Sequence, residues 1–217
     1  VLLELLGADA RDARMALHIP DEEQAAADRF LEEQQAPSPL VCCPFTTRPQ
    51  KHWFAECWAR LADLWQDKGL GPVVLLGGPG DGEAAAAIAA QCRHPLVLAA
   101  GEARSLLFAL GLLNRARAVA GVDTGLTHAG IGLGRPTIAL FGSTRPYLDT
   151  RTPLARVLYH RLECSPCKRH PTCEGRYDCM RLHTPETVLS ALQAVMRAPL
   201  PDPPAGFHTG VGTGRPA

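Results

Sequence analysis

The sequence has no excess of charge. Its 22 Lys and Arg residues balance 22 Asp and Glu, and the isoelectric point is near neutral. Broad electrostatic binding of nucleic acid needs a basic face, so that class of function is disfavoured. Long apolar runs are also missing; none approaches the roughly eighteen residues of a membrane-spanning helix. The first residues, VLLELLGADARDAR, have neither a basic leading segment nor an initiator Met, so they do not read as a secretion signal. The expectation is a chain cut from a longer parent. Two nucleotide-binding signatures are absent as well. The turn Gly77-Gly-Pro-Gly-Asp-Gly82 is not GxGxxG, and no Lys-Ser/Thr follows it as a P-loop would require. No Asp-x-Asp pair that would hold a metal stands at a predicted strand end.

What is present points to one α/β domain. At 217 residues with 46% hydrophobic content, the chain is long enough for one full core plus appendages. The stretch VAGVDTGLTHAGIGLGRPTIALFG, from Val119 to Gly142, reads as strand, turn, helix, turn, strand. An apolar run ends at Asp123, a helix begins at Thr124-Gly125 and carries His128, and Gly134 closes it. Such a unit places the Asp-Thr-Gly turn at the carboxyl end of a parallel strand, where open α/β sheets bind ligands. The free N–H groups of the helix start and the helix dipole favour an anion there, most often a phosphate. The plainer reading is a tight turn in which Asp123 caps the helix and His128 is satisfied in the core.

The rest of the chain supports the same alternation. Residues 1–36 read as a linker and bracing helix from a preceding domain, with Asp21 placed to cap EEQAAADRFLEEQQ. Strands are expected at 40–45, 72–76, 96–99, 116–122 and 154–159, with helices between them over 53–67, from Glu83, and over 102–113. The strand and helix series argues for a doubly wound parallel sheet. Trp53, Trp58 and Trp65 share a helical apolar face with Leu61 and Leu64, and are expected in the core. The loop after the first strand, Thr46-Thr-Arg-Pro-Gln-Lys51-His52, supplies hydroxyls and positive charge where a phosphate would sit. Asp81 or Glu83 could accept ribose hydroxyls, and Ser143-Thr-Arg-Pro146 adds donors at another strand end. A helix over 185–196 closes the domain, and residues 198–217, rich in Pro and Gly, read as a disordered tail.

VDTGLTHAGIGLGRPTIALFGSTRP together with TTRPQKHW resembles the bacterial heptosyltransferases of glycosyltransferase family 9, and the TTRPQKHW loop is most similar to the heptosyltransferase I type. The resemblance covers about residues 38–197. It implies one half of a GT-B glycosyltransferase, a Rossmann-like domain that holds ADP-heptose, occupying residues 37–197. It also implies that Thr46, Thr47 and Lys51 contact the diphosphate, that Asp123, Thr124, Gly125 and His128 surround the diphosphate and sugar, and that Asp81 or Glu83 reaches the ribose. The implied reaction is heptose transfer to a lipid A–Kdo or core acceptor in lipopolysaccharide synthesis, in the cytoplasm with peripheral inner-membrane contact. The acceptor domain and the family's general base are expected to lie outside this chain, so the fragment alone is expected to be inactive.

Charge then decides the chemistry. Breaking the bond from the anomeric carbon to the diphosphate builds negative charge on the leaving group. With no metal-binding pair, Lys51, helix amides and hydroxyls are expected to meet it, and no cofactor is required. Three rival readings stand beside this one: a non-catalytic nucleotide-sugar-binding module from a truncated or degenerate transferase, a nucleotide-sugar epimerase, and a zinc-binding interaction protein. The last rests on Cys164, Cys167, Cys173 and Cys179 in the loop 163–180. These four could hold a structural zinc, form disulfides or stay unlinked, with nearby basic residues expected to favour thiolates in the metal case.

Overall fold

The computed structural model describes residues 17–199. The expected linker before residue 17 and the tail beyond residue 199 lie outside the described residues. Six strands form one parallel sheet: β1 (Leu40–Cys43), β2 (Val73–Leu76), β3 (Val97–Ala99), β4 (Ala118–Val122), β5 (Thr137–Phe141) and β6 (Ala155–Tyr159), in the order β3-β2-β1-β4-β5-β6. Strands β1, β2, β4 and β5 are buried at every position, as continuous runs such as VVLL and TIALF require when both faces are covered. At the edge, β6 exposes Arg156 between buried neighbours.

Because side chains alternate across a strand, β1 feeds two cores. Leu40 and Cys42 join one face with Trp58, Trp65 and Leu192, beneath α2 (Ala55–Asp67), α3 (Gly82–Ala89) and α7 (Pro185–Met196). Val41 and Cys43 join the other with Phe30, Phe108 and Leu113, beneath α1 (Asp21–Glu33), α4 (Leu106–Arg115) and α5 (Gly125–Gly132). The short α6 (Asp178–Arg181) lies beside the end of β5. Among the described residues no helix is long and apolar enough to cross a membrane.

Local signals explain several boundaries. Ser105 Oγ accepts the Phe108 amide at 2.9 Å, so α4 starts at Leu106, four residues later than the apolar pattern suggests. Thr184 caps α7 in the same way, with Pro185 in its first turn. The expectation for Asp21 is corrected: Pro20 occupies the cap position, and Asp21 lies inside the first turn with Glu22 and Glu23, favoured by the dipole. Helix α2 begins at Ala55 rather than Trp53. Trp53 sits in the extended segment before it, and its indole Nε1 donates to the His183 carbonyl at 2.9 Å. All three tryptophans are buried, at 3%, 1% and 0% exposure.

Candidate functional site

Strands β1 and β4 are neighbours, yet the chain leaves them toward opposite edges of the sheet. Their carboxyl ends therefore open a crevice at a topological switch point. From β1 comes the loop 46–52, tightened by a single 3₁₀ turn at Pro49–Lys51. The His52 ring Nε2 lies 2.8 Å from the Thr46 carbonyl and closes the loop on itself. Gln50, 7% exposed, donates from Nε2 to the Lys168 carbonyl at 3.0 Å and ties the loop to the cysteine-rich segment. From β4 comes Asp123-Thr124, and then α5.

Helix α5 is seated by its own threonine. Thr127 is fully buried and donates from Oγ1 to the Val122 carbonyl at 2.8 Å. That seat needs Gly121, because a Cβ there would collide with Thr127 Oγ1 and lie 3.0 Å from Cys43 Cβ. At the other end Gly134 turns the chain with φ of +67°. The first intrahelical amides, those of Thr127 and His128, both donate to the Thr124 carbonyl. The amides of Gly125 and Leu126 precede them at the start of the helix, beside the crevice.

Asp123 does not cap this helix; the cap position belongs to Thr124, which makes no side-chain cap bond. The Asp123 carboxylate instead gathers three side chains. Lys51 Nζ lies 2.6 Å from Oδ2 and 3.2 Å from the Asp123 backbone carbonyl. Thr144 Oγ1 donates to Oδ2 at 2.7 Å, and His128 Nε2 lies 3.2 Å from Oδ1. Burial alone would raise this carboxyl, but the bonds from His128, Lys51 and Thr144 and the Lys51 charge outweigh it, holding Asp123 well below the usual carboxylate range. Nor is His128 a core residue; its side chain is 32% exposed.

The resulting cleft has a volume of about 600 Å³. Thr46, Thr47, Lys51, Asp81, Asp123, Thr124, Gly125 and His128 all border it, together with Phe45, Gly77 and Leu126. Asp81 Oδ2 accepts the Gly78 amide at 2.7 Å, which closes the glycine turn after β2. Glu83 is exposed in the first turn of α3 and is not among the lining residues. Sequence reasoning missed Tyr147, whose hydroxyl lies 2.6 Å from His128 Nδ1. It noted Thr144 only as one donor among several.

Cys164, Cys167, Cys173 and Cys179 are free thiols, so the disulfide reading is not realised. Among the described residues no three His, Cys, Asp or Glu side chains gather as a metal would need, which leaves the zinc reading without support. The expected help from basic neighbours is also corrected. Burial, then the neighbouring cysteines, push the Cys179 thiol up to about 11, and burial raises Cys167 too. Cys179 packs against Gly142, where a Cβ would lie 2.7 Å from its Sγ.

The sheet order and the position of the cleft define a Rossmann-like domain of the class that binds ligands at its switch point. The family follows from comparison. Residues 1–178 match the model of glycosyltransferase family 9 (heptosyltransferase), and the chain belongs to that family. It is 31% identical to lipopolysaccharide heptosyltransferase 1 of Pseudomonas aeruginosa over 175 residues, 74% of this chain and 48% of that one. Among solved structures, it superposes on the glycosyl transferase family 9 protein of Veillonella parvula with a TM-score of 0.74 at 25% identity, covering 89% of this chain and 57% of that one. Against Escherichia coli heptosyltransferase WaaC with ADP-2-deoxy-2-fluoro heptose, the TM-score is 0.55 at 25% identity, over 88% and 52% of the two chains. This chain thus spans about half the length of the relatives it matches.

Proposed function

We propose that this chain is the donor-binding half of a heptosyltransferase of lipopolysaccharide core synthesis, and that the switch-point cleft holds ADP-heptose. The observation that carries the reading is the meeting of the Lys51 ammonium with the start of α5 in one cleft, in a family 9 chain. The WaaC structure, with its ADP-linked fluoro-heptose, supports the choice of nucleotide. Thr46, Thr47 and Lys51 face the diphosphate; Asp123, Thr124, Gly125 and His128 surround the diphosphate and sugar; Asp81, which borders the cleft where Glu83 does not, takes the ribose end.

In the reaction, the bond from the anomeric carbon to the diphosphate oxygen breaks and a bond to the acceptor hydroxyl oxygen forms. Lys51, the α5 amides and the threonine hydroxyls stabilise the charge that develops on the departing diphosphate, without a metal. The acceptor proton goes to a base outside this chain, in the domain that binds the lipid A–Kdo or core acceptor. Work on the cytoplasmic side, with peripheral contact at the inner membrane, is the setting this acceptor implies.

Calorimetric titration with ADP, UDP and GDP, each with and without its sugar, tests the reading. ADP and ADP-heptose should bind in preference to the others, and the isolated chain should transfer no heptose. Failure to bind any of these nucleotides, or equal affinity for all three, overturns it.

A further inference from the structure

One side chain without an assigned role completes the hydrogen-bonded chain at the cleft. Tyr147 follows β5, and its hydroxyl lies 2.6 Å from His128 Nδ1, while the opposite ring nitrogen, Nε2, lies 3.2 Å from Asp123 Oδ1. The two partners differ in kind. An ionised carboxylate only accepts, so the nitrogen facing Asp123 carries the proton. In a neutral imidazole the other nitrogen then has a lone pair, and a phenol can donate into it. Burial, together with the Asp123 charge, pushes the Tyr147 phenol up to about 12, so it keeps that proton at any ordinary pH. The ring itself is braced edge-on against Phe141, with centroids 5.7 Å apart at 82°, and lies 5.5 Å from His128.

We propose that Tyr147 is a positioning residue that acts through His128. By donating to Nδ1 it fixes the imidazole as the Nε2–H tautomer, with that N–H on the Asp123 side of the ring. Without it, only the 3.2 Å contact to Asp123 favours that tautomer, and a ring turned away from Asp123 exchanges between the two forms. In a cleft that stabilises a leaving group without metal, the placement of each N–H group is part of the preorganised field. This last step rests on the donor-binding reading above; the tautomer assignment does not.

The test uses the whole chain with ¹⁵N-labelled histidine. Tyr147→Phe keeps the ring against Phe141 and removes only the hydroxyl, and because Tyr147 is 38% exposed the fold should be retained, as an unchanged Tm would show. Long-range ¹⁵N–¹H spectra should show His128 as a single Nε2–H tautomer in the parent chain, with the signal assigned by its loss in His128→Gln. In Tyr147→Phe it should become a mixture, and the Kd for ADP should rise about three- to tenfold, the range expected for one lost hydrogen bond. In the His128→Gln background, Tyr147→Phe should add nothing to the Kd. An unchanged His128 pattern in Tyr147→Phe, or an equal affinity cost in both backgrounds, overturns the proposal. If the parent chain does not bind ADP while the tautomer still shifts, the donor reading fails and the positioning of His128 stands.

Discussion

Lys51 and Asp123, 72 residues apart in sequence, form an ion pair of 2.6 Å across the switch point. Their side chains are only 17% and 16% exposed, so water screens the pair weakly. The ammonium is thereby held at the mouth of the cleft, between the ends of β1 and β4, before any anion arrives. On the proposed reading, a diphosphate entering the cleft meets a cation already in place.

Removing the ammonium should therefore be costly to binding. Lys51→Ala is expected to weaken ADP about tenfold or more, as for loss of a charge-assisted hydrogen bond of roughly 1.5–3 kcal/mol. Lys51→Arg should restore only part of this, since a planar guanidinium does not reproduce a compact ammonium bound to both Asp123 Oδ2 and its carbonyl. Calorimetry at fixed salt measures both, and full ADP affinity in Lys51→Ala would remove this residue from the site.

Asp123 should also govern part of the acid response. Its carboxyl is held low in the folded chain, so its stabilisation is present above the unfolded value of about 3.9 and is lost as pH falls below that. Asp123→Asn should be less stable than the parent by about 1–3 kcal/mol at neutral pH, because Lys51 loses its anionic partner. The gap should narrow as pH falls from about 4 toward 2. Urea unfolding across this range measures it; a gap independent of pH would contradict the assignment.

His183 titrates in a different window. It is 1% exposed, its Nε2 donates to the Phe141 carbonyl at 3.0 Å, and its ring lies 4.6 Å from that of His160. Burial lowers it to about 4, against the opposing effect of the Phe141 carbonyl and with help from His160. The unfolded chain takes up this proton first, so stability is complete above about pH 6.5 and declines as pH falls toward 4, by up to about 3 kcal/mol. His183→Gln, whose amide can still donate to Phe141, should flatten that slope in unfolding curves taken between pH 7.5 and 4.5.

The seat of α5 can be probed from β4. Gly121→Ala forces a methyl against Thr127 Oγ1 and Cys43, and is expected to cost about 1–3 kcal/mol by overpacking. Adding Thr127→Ala should recover part of the loss in denaturant midpoint by relieving the clash. If Gly121→Ala alone is as stable as the parent, close packing at this point is not what holds the helix.

Thiol titration separates six of the eight cysteines. Cys164 is exposed and should react first, with Cys167 and Cys173 following. Cys42, Cys43 and Cys179 are buried, and burial pushes Cys43 up to about 12, so these three should react only on unfolding. Eight reactive thiols in denaturant, without reductant, is the expected total. One zinc per chain, lost when the four late cysteines are changed to Ser, would require a gathering of side chains different from that described.

Much of the fold could be read in the sequence, because it depends on local pattern. LVCC, VVLL and TIALF are continuous apolar runs of the kind that strands covered on both faces carry, and Trp58, Leu61 and Trp65 recur at helical spacing. The two cleft loops were legible for a related reason: each follows directly from a strand end. Residues that act through distant partners were not. Nothing near Gln50 announces Lys168, and nothing near Tyr147 announces His128. The fit of α1 on α4 depends on Gly111, where a Cβ would lie 2.8 Å from Ala27 Cβ, a relation no short window contains. Glu83 shows the converse: a suitable residue type one turn from the cleft, directed to solvent.

The central position of β1 sets the order in which the domain can assemble. Cys42 is paired with Leu75 on one side but with Ala120 on the other, so half of its ladder comes from a strand made much later. Until β4 emerges from the ribosome, β1 is an apolar edge with unpaired amides, open to pairing with another chain. Pairings this distant in sequence make folding slow compared with a helical bundle of the same size. Chain segments that end before residue 122 should therefore need a chaperone, and those that end just after it expose β4 as the apolar edge instead, until β5 pairs with it.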